Sequence, residues 1–276
     1  TSTPVSPEKV ASLLASEWES FTKNTKGSLA ESARSMKSLP LGVTSSFQHW
    51  DPYPISIVSA QGAWMTDVDG RQLLDLSMGF GAMLAGHLNP VVVEEVKASL
   101  DTGMLFVTPS PISTDAAERI CRRFGIDQIR FTNSGTESTM YAVRVARSAT
   151  GKRDIVKVEG GYHGSYDPFV VSAKPKLESA GDADFPTAVV DGNLVAGNVH
   201  VVPYNNPESL EQIFIKHAST IACFIVEPVL ENIGIVLPDA GYLERVRELC
   251  DQYGIVLIFD EVKTGLTAGH QGAAQR

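Results

Sequence analysis

The sequence predicts an α/β fold, a mostly parallel sheet flanked by helices, and three observations carry that expectation. Short Val/Ile-rich runs alternate with segments of helical period along most of the 276 residues. Two of the runs, Ile221 to Val226 and Ile255 to Phe259, are apolar at every position, as strands buried on both faces are. A hydrophobic share of 43% against 20% charged residues supplies the core such a sheet needs and excludes disorder.

From the N-terminus, Val10, Leu13, Leu14 and Trp18 give Pro7 to Phe21 a helical period. A Ser- and Lys-rich stretch then runs to Pro40 with no legible core pattern. Ile55 to Leu76 reads as strands around a turn, Trp64 to Val68 and Arg71 to Asp75 flanking Asp69-Gly70, a hairpin signal. Beyond it, helical segments fit 89–101, 113–124, 134–149, 207–218 and 240–253, and strands fit 129–132, 155–158, 168–172, 199–202, 221–226 and 255–259. The stretch 172–197, with Pro175, Gly181, Pro186 and Gly192, has no period; a loop this long in a compact domain is functional or mobile. Two domains are expected: an N-terminal segment, 1–85, of helix and hairpin, and a larger one, 86–276.

Composition narrows the function. Thirty-two acidic residues against 23 Lys and Arg leave a net charge of −9, which argues against a nucleic-acid or anionic-membrane partner. No apolar run approaches membrane-span length, and no secretory signal is visible. Cys121, Cys223 and Cys250 are widely spaced with no C-x-x-C, so no disulfide framework is expected and the setting is read as reducing and cytoplasmic. The six histidines form no H-E-x-x-H, and no metal site is expected.

Three local patterns hold candidate chemistry. Phe131-Thr132-Asn133-Ser134-Gly135-Thr136-Glu137 leads into a helix, and Ser134 with Glu137 spells a capping box. The same atoms serve either a plain cap or an anion cradle, because first-turn N–H groups of Gly135 and Thr136 point outward beside two hydroxyls. Asp260 arrives at the carboxyl end of the strand ending in Phe259, where α/β sheets place ligands; its partner is a basic side chain, a backbone cap or a protonated ring nitrogen. Glu227, before Pro228, holds the equivalent position on another strand, with the same readings. Glu159-Gly160-Gly161-Tyr162-His163-Gly164 forms a loop whose glycines expose Tyr162 and His163, as a surface turn or as a platform for a flat ring. An anion cradle, an aromatic platform and a buried carboxylate at one sheet edge together match a phosphorylated pyridine.

With those residues in view, the chain resembles the class III, fold-type I pyridoxal-phosphate enzymes, in particular the glutamate-1-semialdehyde aminomutase branch and its aminotransferase relatives. The resemblance rests on Asp67-Val68-Asp69-Gly70, Gly86-His87, Asn133 to Glu137, Tyr162-His163-Gly164, Glu227-Pro228-Val229 and Phe259-Asp260-Glu261-Val262, and runs from about Leu39 to the last residue. It implies a pyridoxal 5′-phosphate cofactor, its phosphate held by Ser134, Gly135 and Thr136. Tyr162 is then expected on one ring face and Val262 on the other, with Asp260 on the ring nitrogen and Glu227 lining the pocket. It further implies a homodimer with the active site at the interface, a large domain joined to the N-terminal part of a small one, and a mobile active-site loop at 172–197.

Two departures matter. Where the branch has an arginine that grips the substrate carboxylate, this sequence has Gln48, and where it has a tryptophan, Phe80. A neutral amide does not replace a bidentate guanidinium, so both changes favour an aminotransferase acting between an amine or amino acid and an oxo acid, aldehyde or ketone over the aminomutase. The resemblance also places the Schiff-base lysine beyond Arg276 and implies that a C-terminal portion is missing; Lys152, Lys157, Lys174, Lys176 and Lys216 read as solvent-exposed charges. A non-catalytic remnant that binds a partner or a phosphate is the competing expectation from another class.

Overall fold

The computed structural model describes residues 5–190 and 198–273, and the chain divides into two compact units, 1–106 and 107–276. The division falls later than the 85/86 boundary read from the sequence, because helix α3 (Pro90–Leu100) and the turns after it belong to the first unit.

In the first unit, α1 (Pro7–Asn24) starts where the Ser6 hydroxyl accepts the N–H of Lys9 and Pro7 stands in the first turn. Helix α2 (Lys26–Ser35) fills the Ser- and Lys-rich stretch, in which no core pattern is legible. The reason is physical: the residues α2 buries are Ser28 and Ser32, so its packing face carries no apolar period. Ser28 bonds to Asp69, and the Thr25 hydroxyl meets Tyr53 at 2.8 Å. Strands β1 (Ile57–Gln61), β2 (Trp64–Asp67) and β3 (Gln72–Leu74) form an antiparallel sheet in chain order. The expected hairpin is present as a three-residue loop, Asp67 pairing with Arg71 while Gly70 takes φ +82°, the left-handed step such a loop requires. Asn89 caps α3.

The second unit is built on four parallel strands: β4 (Asp154–Val158), β5 (Val199–Val202), β6 (Ile221–Val226) and β7 (Val256–Phe259), in the order β5-β4-β6-β7. Around them lie α4 (Pro111–Phe124), α5 (Gly135–Thr150), α6 (Asp167–Val170), α7 (Leu177–Ala180), α8 (Pro207–His217), α9 (Tyr242–Tyr253) and α10 (Thr264–Thr267). Period-2 alternation sends Val156, Val158, Phe224 and Val226 against Leu210 and Phe214 of α8 and Val246 and Leu249 of α9. Ile155, Cys223 and Ile225 pack on the other face against Val143 and Ala146 of α5 and Phe169 of α6. Adjacent strands β4 and β6 are thus followed by helices on opposite faces, which opens a crevice at their carboxyl ends.

Two expected strands are not strands. Residues 129–132 run as irregular chain into α5, with Phe131 exposed, and 168–172 gives way to α6, where Asp167-Pro168 opens a helical turn. Part of the 172–197 stretch, 191–197, lies outside the described residues.

Candidate active site

The crevice beyond β4, β6 and β7 gathers the residues singled out in this unit. At the start of α5, the Ser134 hydroxyl accepts the Glu137 N–H at 3.1 Å, and the Glu137 carboxylate reaches back to the Asn133 N–H at 2.8 Å. The capping box therefore exists, with its return arm one residue earlier than the motif prescribes. Capping leaves the N–H groups of Gly135 and Thr136 directed off the helix end, where its positive dipole adds to them. The cap and the anion cradle are one structure, since the Ser134 oxygen that accepts from Glu137 still carries a proton to donate.

The 160–164 loop closes onto this helix end. Thr139 donates to the carbonyl of His163 at 2.7 Å, and Thr136 accepts from the Ser165 N–H at 3.2 Å. Gly164, at φ +100°, lies so close to Thr136 that a Cβ there would stand 2.7 Å from its Cα. On the other side, a Cβ on Gly135 would come within 3.2 Å of Val262, a side chain that is 67% exposed. Two glycines thus let the loop and the Asp260–Val262 segment converge on the cradle.

Asp260 is nearly buried. Its Oδ1 accepts the Val262 N–H at 3.1 Å and its Oδ2 meets His163 Nδ1 at 2.8 Å. The expectation that His163 is exposed is wrong: the residue is 2% exposed, lodged edge-on against Phe169, and its Nε2 has no hydrogen-bond partner. A buried unpartnered N–H is costlier than a buried lone pair, so Nδ1 carries the ring proton and donates it to Asp260. Gly161 is what admits the ring, since a Cβ there would come within 3.2 Å of Nε2. Tyr162 is half-buried, and its N–H donates to Glu227 at 3.0 Å. Burial pushes the Glu227 carboxyl above its usual range; the Tyr162 N–H, His163 and the Glu231 N–H pull it back, and Asp260 pushes it further up.

The structure therefore brings together Ser134, Gly135, Thr136, Tyr162, Glu227, Asp260 and Val262, and adds His163, which sequence reasoning left on the surface. No local signal marks that pair, since its partners stand far apart in the chain. Lys157 is a second correction: it is fully buried in β4 rather than solvent-exposed. Cys223 is no candidate nucleophile, because burial pushes its thiol up to about 12. Among the described residues, no group of three His, Cys, Asp or Glu side chains is placed to hold a metal ion, and no helix is long and apolar enough to cross a membrane.

Within the first unit, Gln48 ends a helical turn, Ser46–Gln48, and its side-chain oxygen accepts the Thr44 hydroxyl at 2.7 Å. Phe80, at φ +56°, lies edge-on to Phe47, the residue before Gln48, with ring centroids 6.1 Å apart.

A family model described as Aminotransferase class-III matches residues 46–274. This chain belongs to that family. The class-III match agrees with the α/β sheet and its flanking helices: a structure titled as a transaminase with PLP bound has a TM-score of 0.83 at 35% identity, covering 91% of this chain and 58% of that one. A glutamate-1-semialdehyde aminomutase from Pseudomonas aeruginosa has a TM-score of 0.88 at 25% identity, covering 99% and 59%. Glutamate-1-semialdehyde 2,1-aminomutase of Methanocorpusculum labreanum is 42% identical over 239 residues, 86% of this chain and 57% of that protein. The chain thus spans somewhat more than half the length of these class-III relatives.

Proposed function

We propose that the chain carries the cofactor-holding part of a pyridoxal 5′-phosphate-dependent transaminase. The observation that supports this best is the hold on Asp260: two donors fix it from behind, and the remaining lone pairs are left for a third. That third donor, in this reading, is the ring nitrogen of the cofactor. The cradle at α5 fits a phosphate in this reading, because the first-turn N–H groups point off the helix end beside the Ser134 and Thr136 hydroxyls. Tyr162 would lie on one face of the ring and Val262 on the other, and Glu227 would line the pocket. When bound, the cofactor supplies the electron sink for amino-group transfer. The protein's part is to present Asp260 as an acceptor toward the ring nitrogen, with its Oδ2 held by His163 Nδ1 and its Oδ1 by the Val262 N–H.

Residues 1–85 are assigned to a second, smaller domain, and its Gln48 and Phe80 are the proposed substrate residues. A neutral amide at Gln48 suits a substrate end that is not a carboxylate. The aminomutase reading draws on the names of the relatives. Gln48 counts against it, since a lost charge-assisted hydrogen bond of about 1.5–3 kcal/mol costs roughly ten- to a hundredfold. Homodimer formation is supported by apolar side chains left bare in the first unit, among them Val91, Val92 and Val96 of α3. The test is a screen of amine donors against oxo-acid and ketone acceptors with the full-length enzyme, beside its Gln48→Arg variant. Transamination that far outpaces aminomutase activity, with Gln48→Arg narrowing the gap, supports the assignment; efficient aminomutase activity without the substitution overturns it.

A further inference from the structure

The sheet's alternation places more charge at this edge than the proposed site uses. Lys157 on β4 pairs in register with Ile225 on β6, and Ile225 pairs with Ile258 on β7. Two residues further along each strand, on the same face, stand Glu159, Glu227 and Asp260. Three carboxylates therefore form a row across three neighbouring strands, and Lys157 lies one step beneath it. Its neighbours in register are Val201 and Ile225, and the helices on this face present Val143, Ala146 and Phe169, none of them charged.

Apart from the row, that surround offers the ammonium a backbone carbonyl. Lys157 Nζ donates to the carbonyl of Val171 at 2.7 Å, which uses one of its three protons. The segment it grips is tied to the aromatic loop at two further points. The Gly160 N–H donates to the Ser172 carbonyl at 2.8 Å, and the Asn232 amide spans the carbonyls of Gly160, at 2.9 Å, and Ala173, at 3.3 Å. Glu159 meanwhile buries an Oε1 with no hydrogen-bond partner, so its charge is balanced through space or not at all.

We propose that Lys157 is the buried counter-ion of Glu159 and Glu227 and, through Val171, a positioning residue for the loop that carries Tyr162. Its meaning for transamination rests on the cofactor assignment; the charge pairing does not. The balance agrees with the titration behaviour of the groups. Burial pulls Lys157 down to about 8 while Glu227 and Glu159 pull it back up, and burial raises Glu159 while Lys157 lowers it.

The chain labelled with carboxyl-13C glutamate and 15N lysine tests this without cofactor, the Glu159 and Glu227 signals being identified by their loss in Glu159→Gln and Glu227→Gln. Lys157→Met should raise both carboxyl midpoints by about one pH unit or more, and Lys157→Arg, which keeps the charge, should leave them in place. Unchanged midpoints in a Lys157→Met chain with native circular dichroism would reduce Lys157 to a hydrogen bond and overturn the proposal. If Lys157→Met does not fold, Glu159→Gln decides: the Lys157 Nζ midpoint must fall, and an unmoved midpoint rejects the pairing. Failure of the cofactor assignment would appear in cofactor binding, which this titration does not read.

Discussion

Asp75 and His87 in the first unit meet at 2.7 Å, and Asp260 and His163 in the second meet at 2.8 Å. The bonds match, but the surroundings do not. Asp75 also accepts the N–H groups of Ser77 and Met78, and His87 exchanges both backbone hydrogen bonds with Gly62. That pair staples the turns holding Met78 and Phe80 at positive φ. Asp260 receives two bonds rather than three, and its histidine is shut away from solvent with Nε2 unpartnered. Both side chains are buried, so the difference lies in the donors: three occupy Asp75, while two hold Asp260 and, in the proposed reading, leave lone pairs for a further donor.

The largest expected effect separates the two aspartates. In the full-length enzyme Asp260→Ala should lower the transamination rate about 10²- to 10³-fold, the scale of losing one preorganised electrostatic contact. It should also lower the melting temperature, because it leaves the buried Nδ1–H of His163 unpartnered. Asp75→Ala should lower the melting temperature and leave cofactor affinity in place. Matched steady-state kinetics and thermal melts of the two variants would erase the contrast if Asp260→Ala lost stability but kept its rate. Gly164→Ala should cost about 1–3 kcal/mol in denaturant unfolding, because a Cβ there meets the Thr136 backbone and the residue is held at φ +100°. His163→Leu should cost about 1–3 kcal/mol by leaving Asp260 buried without its donor, and weaken cofactor binding with it.

The smallest effect is on pH. The His87 bond, first among its causes, holds Asp75 below the usual carboxylate range, so its stabilisation is full above the unfolded value and fades as pH falls through the lower folded one. Lys157 acts at the other end. Its folded value lies near 8, below its value in the unfolded chain, so the unfolded chain binds more protons between the two and stability from this group rises with pH from about 8 upward. Melting temperatures across pH, with Lys157→Met removing the alkaline rise and Asp75→Asn the acid one, check both signs.

Strand β6 was legible because burial on both faces leaves an unbroken apolar run. Strand β7 carries the same kind of run but is only part-buried at the sheet edge, which corrects the expectation of two-sided burial there. Helix α5 was legible because its cap is written in four residues. Helix α2 was not, since it buries serines, and α6 hid behind Val170 and Val171, whose β-propensity yields to the Asp167-Pro168 helix start. The cradle, Tyr162 and Asp260 could be read from motifs confined to short segments. His163 could not, because its partner is brought to it by the sheet. Lys157 had an overlooked signal: a lysine inside a strand flanked by strands on both sides has no route to solvent.

The most direct test of the account is equilibrium binding of pyridoxal 5′-phosphate, compared with dephosphorylated pyridoxal, to the unmodified chain and to Asp260→Asn and Thr136→Val. The account predicts that the phosphorylated form binds tighter, that Thr136→Val narrows that preference, and that Asp260→Asn weakens both ligands about tenfold, the scale of one charge-assisted hydrogen bond. Equal affinity for the two ligands, or affinities that neither substitution moves, would contradict it.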